Sequence, residues 1–324
     1  MEYRLLGGTG LRVSRLCFGA LTIGPLQAGL SPEEGARVIR SALELGVNFI
    51  DTAELYGTYE HIRLALRGWP DPVVIATKSY AYTREGMRES LDRARRALGR
   101  ECLELFLLHE QESAETIRGH WPALEYLLEA KAKGWVRAVG ISTHWVGCVR
   151  AASRLAEVEV IHPLINRRGL GIQGGSREEM LEAIREAARA GKGIYAMKAL
   201  GGGLIREEVP ASFAFLLAQP EIAAVAVGMR SVEEVRLNVH YFAALGGEGG
   251  AFPPEEVAAW ERKVAAAERR LVMDEGCTGC GSCVQCCPQG ALTLVGGQVR
   301  VEAQRCILCG YCGAACPRFL LRIV

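Results

Sequence analysis

Eight short β-rich runs constrain what this chain can fold into: Leu16–Phe18, Val47–Ile50, Val73–Ala76, Leu103–Leu108, Val136–Ile141, Val158–Ile161, Gly193–Ala196 and Ala223–Val227. They alternate with helical periodicity about every thirty residues, as at Arg84–Leu98, Ile117–Lys133, Arg177–Ala190 and Ser231–Phe242. The first helix starts on Ser31-Pro32-Glu33-Glu34, an N-cap followed by proline at N1 and glutamate at N3, and stops at Gly46. Alternating strands and helices give a parallel sheet, and eight units are the number that closes into a (β/α)8 TIM barrel. An open doubly wound sheet gives no reason for eight regular units. Glu2–Leu6 and Leu11–Arg15, flanking Gly7-Gly8-Thr9-Gly10, read as a hairpin that plugs the bottom of the barrel.

The barrel is expected over residues 1–250, its end marked by Gly246-Gly247-Glu248-Gly249-Gly250 and Pro253-Pro254. Residues 251–272 read as a linker with a connecting helix, Glu255–Leu271, that carries Val257, Trp260, Val264 and Ala267 on one face. Residues 273–324 form a second unit. A chain with 49% hydrophobic and 23% charged residues has a large core and is not disordered. A net charge of +1 supplies no field that gathers nucleic acid or an anionic membrane. The apolar runs are shorter than the ~20 residues of a membrane span, and MEYRLLGGTG lacks the regions of a signal peptide. A cytoplasmic protein is expected.

Cysteine is unevenly used: nine of the twelve fall between Cys277 and Cys316. In a reducing compartment such clustering indicates metal or redox chemistry. Cys277, Cys280, Cys283 and Cys287-Pro288 are spaced C-x2-C-x2-C-x3-C-P, and the motif recurs 29 residues on as Cys306, Cys309, Cys312 and Cys316-Pro317. A zinc module uses paired cysteines rather than triplets. The duplicated unit resembles the bacterial two-[4Fe-4S] ferredoxins, a small α+β fold. The resemblance implies two [4Fe-4S] clusters, one on Cys277, Cys280, Cys283 and Cys316, the other on Cys306, Cys309, Cys312 and Cys287. Ala291–Val295 and Gln298–Val301 read as a hairpin about Gly296-Gly297. Gly279, Gly281 and Gly310 let amides approach the sulfurs, and Cys286 lies outside the register.

In a (β/α)8 barrel the chemistry sits at the C-terminal ends of the strands. Asp51, Lys78 and His109 end the second, third and fourth strands, and Tyr56 follows on the loop after Asp51. An ammonium beside a tyrosine is expected to lower its pKa from about 10. The carboxylate holds the ammonium in place, and the imidazole orients a carbonyl. Asp51-Thr52-Ala53-Glu54-Leu55-Tyr56-Gly57, with the strand-end lysine and histidine, resembles the aldo-keto reductase family over about residues 1–245. The whole chain is similar to the subgroup that carries a C-terminal ferredoxin.

That resemblance implies a catalytic tetrad of Asp51, Tyr56, Lys78 and His109, and a site for NADP(H). Ser142, Asn166 and Met197 would meet the nicotinamide. Gly201, in Gly201-Gly202-Gly203, would meet the pyrophosphate. Gly228, Arg230, Ser231, Glu234 and Asn238 would meet the adenosine end, with Arg230 and the helix start at Ser231 on the 2′-phosphate. Three positions depart from the family pattern: Thr143 replaces an asparagine, His162 a glutamine, and Met197 the aromatic that stacks on the nicotinamide. Leu21, Ile23, Tyr80, Tyr82, Glu110, His144 and Trp145 are loop candidates that would face the substrate.

The expected function is NADP-linked hydride transfer to or from a small carbonyl or alcohol, coupled to iron–sulfur electron transfer, with Tyr56 as acid or base. A hydride carries two electrons and a cluster passes one, so coupling calls for a flavin or a radical-tolerant substrate, with a ferredoxin or flavoprotein as electron partner. The alternative is an electron-transfer or redox-sensing protein whose barrel binds a flavin or other ligand and runs no nicotinamide chemistry.

Overall fold

The computed structural model describes residues 1–324 except 206–207, 248, 267–269, 319 and 324. The expected hairpin forms from β1 (Tyr3–Leu5) and β2 (Arg12–Ser14). Eight parallel strands follow: β3 (Leu16–Gly19), β4 (Phe49–Asp51), β5 (Val74–Ser79), β6 (Leu103–Leu108), β7 (Val136–Thr143), β8 (Val160–Pro163), β9 (Gly193–Ala196) and β10 (Ala224–Gly228). Pairing of β10 with β3 closes them into a barrel. Leu6, Leu11 and Val13 from the hairpin pack against Phe49, Leu105, Leu107 and Val160 in the barrel interior. The bottom of the barrel is therefore plugged, as expected.

The outer layer is α1 (Pro32–Glu44), α2 (Tyr59–Ala65), α3 (Arg84–Leu98), α4 (Ala114–Gly119), α5 (Trp121–Ala132), α6 (Val146–Ser153), α7 (Arg177–Arg189), α8 (Val209–Leu217) and α9 (Val232–Leu245). Ser31 and Glu34 make the capping box that starts α1. Ile39, Leu43, Leu91, Leu98 and Leu127 lie in the layer between helices and sheet. Each such side chain contributes roughly 1.5–3 kcal/mol on burial. The helix expected over Ile117–Lys133 is two helices that meet at His120. Pro122 accounts for the break, since it has no N–H to give the carbonyl four residues back.

The connecting helix α10 (Pro254–Ala265) is shorter than expected; Ala267 lies outside the described residues. Trp260 fastens it to the barrel, edge-on to Phe252 at 5.0 Å and under the Arg236 guanidinium at 5.4 Å. Leu271 is not helical: it opens β11 (Leu271–Met273) of the C-terminal lobe. The lobe continues through α11 (Ser282–Gln285), β12 (Leu292–Val295), β13 (Gln298–Val301), α12 (Tyr311–Ala315) and β14 (Leu321–Ile323). β12 and β13 are the expected hairpin, while β11 pairs with β14, a pairing the spacing does not signal. Among the described residues no helix is long and apolar enough to cross a membrane.

The lobe sits on the C-terminal mouth of the barrel. Gln27 Nε2 donates to Leu308 O at 2.9 Å, and Gln289 Nε2 to Gly171 O at 3.4 Å. Gly202 has a φ of +73°, and a Cβ built there would lie 1.7 Å from Ile307 O. Two penalties therefore fall on a side chain at this contact, backbone strain and backbone collision. Gly202→Ala is expected to loosen the lobe and leave the barrel folded. Limited proteolysis should then release a C-terminal fragment that the wild type protects, with unchanged far-ultraviolet circular dichroism.

Candidate active site and cysteine cavities

Strand ends place the tetrad at the mouth under the lobe. Lys78, at 1% relative exposure, donates from Nζ to Asp51 Oδ2 at 2.9 Å and to Thr52 O at 2.7 Å. Tyr195 OH donates to Asp51 Oδ1 at 2.9 Å. His162 Nε2 lies 3.7 Å from the same oxygen, and its ring stacks on Tyr195 at 3.7 Å. These two partners of Asp51 have a weak sequence signal: a buried tyrosine in an apolar strand needs something to receive its hydroxyl. Tyr56, from the turn after β4, lies with its ring 4.8 Å from Lys78 Nζ and edge-on to His109 at 5.7 Å.

The expected lowering of the Tyr56 pKa is not what this arrangement produces. Burial, and then the Asp51 charge, push the phenol well above its usual value. Lys78 spends its charge on Asp51, so Tyr56 is held as a neutral proton donor. Burial, then Lys78, pushes His109 well below the usual imidazole value, so its ring is neutral as well. His162 is pushed down to about 4, chiefly by burial. Among the described residues His109 Nδ1 is buried without a hydrogen-bond partner, and His109 Nε2 lies 3.4 Å from the Tyr311 hydroxyl.

A cavity of about 130 Å³ runs from Asp51, Tyr56, His162 and Met197 past Lys198 and Leu200 to Gly202, Gly203 and Gly228, with Leu308 as its roof. Of the expected nicotinamide contacts, Met197 lines it. Ser142 and Asn166 do not: Ser142 Oγ accepts from Glu110 N at 2.8 Å, and the Asn166 amide closes on Leu170 N and O. Gly201 turns away, toward Leu170 and Ile205. Arg230 is anchored by Glu234, which accepts from its Nε at 3.2 Å and its backbone N at 2.7 Å. Ser231 caps α9 through Glu234 N, and Asn238 is buried on the same helix. Of the loop candidates, Leu21 lines the cavity and Ile23 belongs to the core. Tyr80 stacks on His109 at 4.3 Å and donates to Glu110, whose other oxygen lies 3.6 Å from His144 Nε2. Tyr82 is exposed, and Trp145 packs at Gly174.

The lobe contains two further cavities of about 20 Å³ each. One is lined by Cys277, Cys280, Cys283 and Cys316, the other by Cys287, Cys306, Cys309 and Cys312. Each takes three cysteines from one motif and the fourth from the other. Among the described residues no three His, Cys, Asp or Glu side chains converge on one ion position. Ala291 N donates to Cys287 Sγ at 3.3 Å and Leu320 N to Cys316 Sγ at 3.5 Å. Gly281 and Gly310, with φ of +80° and +83°, start α11 and α12 beside the sulfurs. Cys286 lines neither cavity and donates to Cys283 O.

Comparison with known proteins places the chain. The Aldo/keto reductase family profile matches residues 15–212, and a 4Fe-4S dicluster domain matches residues 270–317. This chain belongs to the aldo/keto reductase family and is an oxidoreductase with a C-terminal iron–sulfur domain. It is 24% identical to an L-galactose dehydrogenase of Arabidopsis thaliana, over 74% of this chain and 87% of that one. Identity with a D-threo-aldose 1-dehydrogenase of a Pseudomonas species is 25%, over 62% and 70%. A solved structure assigned as an aldo-keto reductase, from Pseudomona aeruginosa, superposes with a TM-score of 0.65 at 29% identity, over 75% of this chain and 94% of that one.

The buried ion pair makes a direct prediction. Removing one member of such a pair costs about 3–5 kcal/mol, because the other charge is left uncompensated. Lys78→Met should lower barrel stability by that amount in chemical denaturation, and adding Asp51→Asn should restore much of it. Equal stability of Lys78→Met and the wild type would show that the pair carries no such constraint.

Proposed function

We propose that the chain reduces a small carbonyl, or oxidises the corresponding alcohol, at the mouth formed by Asp51, Tyr56, Lys78 and His109, and exchanges electrons through two [4Fe-4S] clusters. The observation that carries this reading is that Leu308, between Cys306 and Cys309, lines the same cavity as Asp51 and Tyr56. The functional units are the barrel over residues 1–250, a connector from 251 and the cluster lobe, which begins with β11 at Leu271. The crosswise cysteine sets would each hold one cluster. A dinucleotide would place Met197 at the nicotinamide, Gly202 and Gly203 at the pyrophosphate, and Arg230 with Ser231 at the 2′-phosphate, reaching beyond the cavity that Met197, Gly202 and Gly203 line. NADP(H) would supply or accept a hydride and the clusters single electrons; an external ferredoxin or flavoprotein would be the electron partner.

Tyr56 gives its proton to the substrate oxygen: its raised pKa keeps the phenol protonated until a developing alkoxide, the stronger base, takes that proton. His109, neutral, orients the oxygen through Nε2. Asp51 holds the Lys78 Nζ in place, 2.9 Å from its Oδ2, and Lys78 lies beside both Tyr56 and His109. A second reading is favoured by Ser142 and Asn166, whose polar atoms are engaged elsewhere: the barrel then holds a flavin or another ligand, and reducing equivalents arrive from the lobe alone.

Tyr56→Phe keeps the ring and removes the proton. Carbonyl reduction should fall ~10²–10⁴-fold, with dinucleotide binding little changed. The wild-type rate should be flat from about pH 6 to about pH 9. The raised Tyr56 stays protonated above that range, and the lowered His109 stays neutral below it. Full activity in Tyr56→Phe sinks the assignment, and full activity with dithionite alone supports the second reading. Anaerobic protein should also carry about eight irons, and Cys309→Ala about half, with the barrel intact.

A further inference from the structure

The cluster lobe does more than roof the cavity, since it inserts a side chain between the groups that would hold a substrate oxygen. Tyr311 opens α12 directly after Gly310, where an added Cβ would fall 2.4 Å from Leu26 O. With Gln27 bonded to Leu308 O, this fixes the loop to the mouth. The Tyr311 ring is edge-on to His109 at 88°, and its hydroxyl lies 3.4 Å from His109 Nε2. The same hydroxyl acts on the phenols of Tyr56 and Tyr80, while Tyr80 covers the other face of the site by stacking on His109. A carbonyl that is reduced here must bring its oxygen within hydrogen-bond reach of both Tyr56 and His109 Nε2. The phenol oxygen of Tyr311 already stands 3.4 Å from His109 Nε2, on the ring that Tyr56 meets edge-on.

We propose that Tyr311 is a specificity-determining residue of the reaction site. Its hydroxyl stands in for the substrate oxygen, a carbonyl binds by displacing it, and the ring then sets the largest substrate the site admits. This rests on Tyr56 and His109 being the reaction site. It makes the cluster lobe part of the substrate pocket, and it makes a ring next to Cys312 respond to substrate.

Two variants test it in the anaerobic holoprotein, with benzaldehyde and 1-naphthaldehyde as probes and NADPH as reductant. Tyr311→Phe removes the competing hydroxyl and keeps the wall. KM for benzaldehyde should fall about two- to tenfold, the worth of one net hydrogen bond, with the change in KM rather than kcat. Tyr311→Ala removes the wall, so kcat/KM for naphthaldehyde relative to benzaldehyde should rise by at least about tenfold. An unaltered cluster absorbance spectrum checks that each variant is folded. Loss of activity in Tyr56→Phe, together with an unchanged or raised KM in Tyr311→Phe and an unchanged size preference in Tyr311→Ala, overturns this proposal alone. Full activity in Tyr56→Phe overturns the reaction-site assignment and this proposal with it.

Discussion

The mouth of the barrel is organised by one buried ion pair. Taking an ammonium and a carboxylate out of water costs several kcal/mol for each ion, and only saturated geometry repays it. Lys78 donates to both Asp51 and Thr52 O, and the remaining Asp51 oxygen receives the Tyr195 hydroxyl. The pair then dictates its neighbours. Burial, and then the carboxylate, raises the pKa values of Tyr56 and Tyr195; burial, and then the ammonium, lowers that of His109. The result is a neutral phenol and a neutral imidazole around a fixed dipole. The raised pKa keeps this phenol protonated and makes it a weaker acid than a free tyrosine, so it gives its proton only to a strong base such as a developing alkoxide.

The cluster lobe depends on that mouth through strained backbone. Three non-glycine residues have positive φ among the described residues: Glu110 at +47°, Lys198 at +60° and Leu308 at +49°. All three border the contact between barrel and lobe. Such conformations cost of order 1–3 kcal/mol each and persist where the surroundings over-determine them. Here the Gln27 bond to Leu308 and the fit of Gly202 and Gly310 against backbone supply that constraint.

Architecture is legible in the sequence because it is periodic. Each of the eight strands lies within a few residues of its expected run, and Ser31, Gly46 and the Gly296-Gly297 hairpin behave as their chemistry requires. The crosswise cysteine sets are legible only through resemblance to ferredoxins, because spacing does not say which cubane the fourth cysteine reaches. What is not legible is long-range or masked by a stronger pattern. Pro122 sits inside a convincing helical periodicity that hides the break, and β11 is too short to announce a partner at Leu321–Ile323. Tyr311 gives no signal at all: its significance comes from docking between two units far apart in the chain. The direction of the Tyr56 shift is hidden too, since a neighbouring lysine counts for little once its charge is spent on Asp51 and the phenol is buried.

The two cysteine sets differ in where they face, and that difference gives the proposed reading a direction. Cys280 is exposed at the outer set, whereas the inner set includes Cys309 beside the roof of the mouth. A partner protein would meet the outer cluster and the substrate cavity the inner one. Reducing a carbonyl to its alcohol consumes two electrons and two protons, one proton ending on oxygen and one on carbon, while each cluster carries one electron. In the proposed function NADP(H) already supplies that pair as a hydride, so single electrons from the clusters would have to pass through a two-electron carrier such as a flavin.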